Sequence, residues 1–86
     1  MRNAILSEAQ VEALLVLYDA GVVDEAHAKS LPELGLEDGR ARALVRRLKH
    51  FAMVCNVQLG SYSGPYVYWL SALGIERAQA EKAQAA

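Results

Sequence analysis

The apolar residues of this chain change their repeat at position 54, from a helical spacing to an alternating one, and that change restricts the possible folds more than any other feature. From Gly39 to Met53, Ala41, Leu44, Val45, Leu48, Phe51 and Ala52 fall on one side of a helical wheel. Arg42, Arg46, Lys49 and His50 lie opposite, with Arg40 and Arg47 on a flank. Directly afterwards Val54-Cys55-Asn56-Val57-Gln58-Leu59 alternates loosely, residues 60–65 are rich in Gly, Ser and Pro, and Tyr66-Val67-Tyr68-Trp69-Leu70 consists of strand formers. The pattern predicts a helix running into a β-hairpin with a six-residue tip, Gly60 to Pro65.

Upstream, Ser7-Glu8-Ala9-Gln10 is a capping box, and Leu6 and Val11 are placed to form the accompanying hydrophobic staple. Val11, Leu14, Leu15 and Tyr18 repeat at helical spacing, and Gly21 can take the left-handed conformation that ends a helix. The first helix is therefore expected over residues 8–20. Asp24 can cap a second, shorter helix through Glu25, Ala26, His27 and Ala28, but Pro32 disfavours helix at Leu31 and leaves its end open. Leu34-Gly35-Leu36 reads as a tight turn and Asp38 as the cap of the third helix. Ser71 can cap a final helix, in which Gly74 weakens the first turn. The alanine-rich end has little apolar surface to hold it, so its last residues are expected to fray.

The expected fold is α+β and mostly α, a single domain over residues 1–86. A chain of 86 residues buries only about 60–65% of its unfolded surface, so its stability is modest. Its 53% hydrophobic and 22% charged residues are ordinary for a globular protein. One cysteine, Cys55, permits neither an intramolecular disulfide nor a thiolate zinc site, which fits a reducing cytoplasm. The first residues show no secretory pattern, and no apolar run reaches membrane-spanning length.

Three helices, a hairpin and a closing helix follow the order of a winged helix-turn-helix domain, and two segments carry the resemblance. Leu34-Gly35-Leu36 leading into Arg40, Leu44, Val45, Arg47 and Leu48 resembles the turn and recognition helix of small bacterial or phage regulators of the MarR and PadR types. Tyr68-Trp69-Leu70-Ser71 followed by Gly74 is similar to the segment where their second wing strand enters the next helix. The resemblance implies a transcriptional regulator that places its third helix in the major groove of duplex DNA and its hairpin against the backbone or minor groove.

The net charge of −1 and the pI near 6.1 argue mildly against a nucleic-acid partner, but the charges are segregated. Residues 36–52 hold five Lys or Arg against Glu37 and Asp38, a local charge of +3, and the remaining residues hold four cations against eight carboxylates, −4. Such a distribution suits a small DNA-binding surface. By helical position Arg42 and Arg46 face the groove, and Arg40, Arg47 and Lys49 are placed for phosphates. Two features oppose this reading: Glu37 and Asp38 put negative charge at the start of the helix, and the wing from Gln58 to Tyr66 lacks Lys and Arg, which argues against direct wing contact. One recognition helix buries little surface, so a homodimer is expected, through helix one or the tail after Gly74.

No other chemistry is legible. His27 and His50 lie apart on different predicted helices, away from a carboxylate or cysteine at ligand spacing, so no metal site or cofactor is expected. Cys55 reads as a small buried hydrophobe. Gly60 and Gly64 frame a tip without a phosphate-binding lysine. No serine has a nucleophile context and no carboxylate pair suggests acid and base, so no enzyme activity is expected. The hairpin does hold Tyr62, Tyr66 and Tyr68 beside the only tryptophan. On an alternating strand Tyr66 and Tyr68 share one face and Val67 and Trp69 the other, so the tyrosines either form an exposed ridge or pack on the helices. An exposed ridge favours a second function, a protein-interaction module or inhibitor that uses the hairpin and the acidic surface.

Overall fold

The computed structural model describes residues 5–60 and 63–85. Helix α1 (Glu8–Asp19) begins at the expected capping box, in which Gln10 N–H donates to Ser7 Oγ at 3.1 Å and Ser7 N–H donates to Gln10 Oε1 at 2.9 Å. Gly21, at φ +77°, turns the chain away. The deepest residues of α1 are Ala13, Leu14 and Leu17. Val11, Leu15 and Tyr18 of the expected stripe are half-buried. That displacement has a physical cause: α1 packs on α3 and α4 together, and Tyr18 lies along α4, where Lys82 Nζ sits 5.9 Å from its ring centre.

The segment after α1 corrects the expected second helix. Asp24 accepts from His27 N–H at 3.0 Å but caps only a short 3-10 turn, Glu25–His27. The helix proper, α2 (Leu31–Leu34), is one turn long and begins at Ser30. Pro32 lies within its first turn, where its missing N–H would have had no helical partner. A second capping box holds it, with Ser30 N–H donating to Glu33 Oε1 at 2.9 Å. Gly35, at φ +71°, ends it in a Schellman motif closed by Leu36 N–H donating to Leu31 O at 2.9 Å. Between turn and helix, Lys29 forms an antiparallel bridge with Tyr68.

Helix α3 (Gly39–His50) starts where expected, with Ala41 N–H donating to Asp38 Oδ1 at 2.8 Å. It stops short of Met53: Ala52 is exposed in a left-handed conformation, φ +64°, so its assignment to the core face is wrong. Met53 N–H donates to Leu48 O at 3.0 Å and Ala52 N–H to Lys49 O at 2.9 Å, a second Schellman closure with alanine in the place glycine usually takes. Strands β1 (Val54–Gln58) and β2 (Tyr66–Leu70) then pair antiparallel, Val54 opposite Leu70 and Gln58 opposite Tyr66. Helix α4 (Ala72–Ala85) is capped by Ser71, whose Oγ accepts from Gly74 N–H at 3.1 Å.

Leu14, Leu17, Val22, Val45, Leu48 and Leu70 are the largest fully buried side chains and join α1, α3 and the base of the hairpin in one core. Gly74 has a role the sequence did not show, because a Cβ there would stand 2.1 Å from Met53 O. Ser71 stitches the same place, its N–H donating to Met53 O at 3.0 Å and its Oγ to Ala52 O at 2.6 Å. Along α4 the Arg77–Glu81 pair at 2.8 Å and the Lys82–Asp19 pair at 2.8 Å supplement a thin apolar contact centred on Ala78. Element order, pairing and the α2–turn–α3 unit are those of a winged helix: four helices and a two-stranded hairpin, α+β and mostly α.

Candidate nucleic-acid interface

Because Ala41, Val45 and Leu48 bury one side of α3, the 100° step per residue sends the other side chains to three positions. Ala43, Arg46 and His50 stand furthest from the core, Arg42 and Lys49 on one flank, and Arg40 and Arg47 on the other. All seven are exposed. The Arg47 guanidinium lies 5.6 Å from the centre of the Phe51 ring, and the His50 ring meets the same phenyl edge-on at 5.8 Å.

The hairpin stands beside the Arg42–Lys49 flank. Val54 and Leu70 are buried at its base, so the strand alternation turns Asn56, Tyr66 and Tyr68 toward the helices. Arg42, Arg46 and Lys49 from α3 and Asn56, Tyr66 and Tyr68 from the hairpin line one cleft of about 330 Å³. The two tyrosines therefore do not form a ridge separate from the cationic helix. Tyr68 packs against the core, and Tyr66, 48% exposed, borders the cleft. Trp69 packs against the core from the opposite face of the strand, so both faces of the hairpin base are in use. Tyr62 lies outside the described residues.

The charges on α3 are uncompensated. Among the described residues the ion pairs join Asp24 to His27, Arg77 to Glu81 and Asp19 to Lys82, and none includes Arg40, Arg42, Arg46, Arg47 or Lys49. Asp38 is occupied in capping, which leaves Glu37 as the exposed carboxylate nearest in sequence. His27 does meet a carboxylate, Asp24, at 2.6 Å, and the hydrogen bond from the imidazole holds the Asp24 carboxyl below its ordinary value. Both groups are exposed, and no cluster of three metal-binding side chains occurs among the described residues. Cys55 is half-buried rather than buried, opposite Trp69. No helix among the described residues is long and apolar enough to cross a membrane.

The sequence reading missed Asn56 as a lining residue. Its signal was available, since Asn56 stands two positions from Val54 and must share the face of that buried valine. Lys29, which pins Tyr68 from the other side, left no such mark.

A comparison with solved structures finds a similar fold in the crystal structure of a candidate DNA-binding protein from Ralstonia eutropha JMP134. The likeness has a TM-score of 0.65 at 25% sequence identity and covers 90% of this chain and 98% of that one. No protein-family model matches the chain, and no curated protein matches it.

Proposed function

We propose that this chain is a cytoplasmic transcriptional regulator that binds duplex DNA with α3 in the major groove, in the manner of MarR- and PadR-type regulators. The observation that carries the proposal is the set of five α3 cations without a carboxylate partner among the described residues. Elsewhere on the chain Arg77 and Lys82 are paired within the fold. Cations on both flanks of one helix suit a helix seated between the two phosphate walls of a groove about 12 Å wide. Arg42 and Arg46 are the base-reading candidates, because a guanidinium can bind guanine O6 and N7 together or a phosphate. Arg40, Arg47 and Lys49 serve the backbone. The likeness to a candidate DNA-binding protein supports the same reading. A homodimer is part of it, since a single helix with one turn of α2 behind it offers too little surface for tight specific binding.

The test is selection from a random-sequence duplex pool at low and moderate salt, with the protein and its Arg42→Ala/Arg46→Ala variant side by side. Salt-sensitive binding, an enriched motif and loss of both in the variant are expected. Absence of binding at low salt refutes the proposal.

A further inference from the structure

The cleft between α3 and the hairpin combines two features that paired DNA alone does not use together. One wall is cationic, with Arg42, Arg46 and Lys49; the other is aromatic and amide, with Tyr66, Tyr68 and Asn56. A wing without Lys or Arg adds no cationic attraction for phosphate, so what the hairpin offers this cleft is its aromatic rings and the Asn56 amide. The backbone that carries Tyr68 is held on both sides. Tyr68 N–H donates to Lys29 O at 2.7 Å and Lys29 N–H to Tyr68 O at 3.1 Å, while Asn56 pairs with Tyr68 across the hairpin. Tyr66, two residues along the same face, leaves about half its surface in solvent. A second recess of about 410 Å³ adjoins on the α2 side and shares Arg42 and both tyrosines. Glu37 is the carboxylate on its wall, and it forms no ion pair with Arg42.

Aromatic side chains beside a positive groove are the elements that hold unpaired nucleotides, the rings stacking on bases and the cations tracking phosphates. Inside a duplex both faces of a base are already stacked, so a ring can reach one only where pairing is interrupted. We propose that this cleft receives an unpaired nucleotide of the bound DNA, its phosphate against Lys49 and its base against Tyr66 and Tyr68. The inference rests on the DNA-binding reading and adds to it a preference for sites with a bulged or frayed base.

Binding is measured by fluorescence anisotropy at 50 mM salt with a paired duplex, the same duplex carrying one bulged 2-aminopurine, and the variants Tyr66→Ala and Tyr66→Phe, each checked for an intact thermal transition. The bulged duplex should bind about tenfold more tightly and its 2-aminopurine emission should fall on binding. Tyr66→Phe should keep that preference, and Tyr66→Ala should lose it, binding the bulged and the paired duplex within about twofold of each other. Equal binding of the two duplexes, a preference that survives Tyr66→Ala, or its loss in Tyr66→Phe overturns the stacking proposal and leaves duplex binding standing. Failure to bind either DNA overturns both.

Discussion

Replacing Gly74 with alanine puts one methyl group into the junction where the first turn of α4 meets Met53, at the entry to β1. Helix propensity alone would make this change favourable by about 1 kcal/mol. The structure predicts the opposite sign, because the new Cβ would lie 2.1 Å from Met53 O, 3.0 Å from Met53 C and 3.2 Å from Leu70 Cδ2. The closest of these neighbours is backbone and cannot rotate aside. Relief requires α4 or the Ala52–Met53 segment to move by roughly 1 Å, an overpacking cost near the upper end of the usual 1–3 kcal/mol. That movement also strains the bond from Ser71 N–H to Met53 O at 3.0 Å and the one from Ser71 Oγ to Ala52 O at 2.6 Å, each contributing about 1 kcal/mol. After the gain in propensity is subtracted, a net loss of about 2–3 kcal/mol remains, which lowers the Tm of a domain this size by roughly 10–20 °C. Thermal and urea unfolding followed by far-UV circular dichroism, with Ala80→Gly as a control on an exposed position of α4, would measure it. The control should lose about 1 kcal/mol. A Gly74→Ala protein as stable as the parent, or more stable, would refute the close-approach argument.

Three other outcomes are expected. Ala52→Gly should stabilise the protein by about 1 kcal/mol, because Ala52 ends α3 at φ +64° where an L-residue is strained; a Tm that does not rise contradicts that geometry. Glu33 has its carboxyl held below its ordinary value of 4.5 by the backbone hydrogen bond from Ser30 and then by the Ser30 hydroxyl. A depressed folded-state value means the stabilisation is fully present above the ordinary value and is lost as the pH falls through the folded-state one. Comparison with Glu33→Gln should therefore show a stability difference that shrinks on acidification below about pH 4.5, and a difference constant with pH would contradict the assignment. If the α3 cations meet phosphates, the logarithm of DNA affinity should fall with the logarithm of salt at a slope of about −2.7 per bound chain for Arg40, Arg47 and Lys49 alone and about −4.5 where Arg42 and Arg46 also rest on phosphates, roughly 40-fold to 500-fold between 50 and 200 mM. A titration with a slope shallower than about −2 would show that most of these cations stay in solvent.

What could be read from the residues alone was local. Ser7, Asp38 and Ser71 each satisfy an N–H three residues ahead, so their helices start where short-range chemistry puts them, and Gly21 and Gly35 turn the chain at positive φ for the same kind of reason. The apolar stripe of α3, the hairpin after it and the segregation of charge onto α3 were legible because they are periodicities within one element. The second helix departs from expectation within that same range: Ser30 and Glu33 also form a capping box, and Pro32, which disfavours helix at Leu31 in an isolated chain, sits in the first turn, where it is tolerated. Other features belong to contacts between residues far apart in sequence. Gly74 is needed because Met53 lies against it, and Tyr68 is pinned because Lys29, in a segment with no strand pattern, bridges to it. The site was divided in the same way. Its cations were visible as a helical face, whereas their companionship with Tyr66 and Tyr68 depended on which strand face turns inward. Leu70 decides that parity by sinking into the core between the helices, and a one-residue change of register would have put the tyrosines on the far side from Arg42.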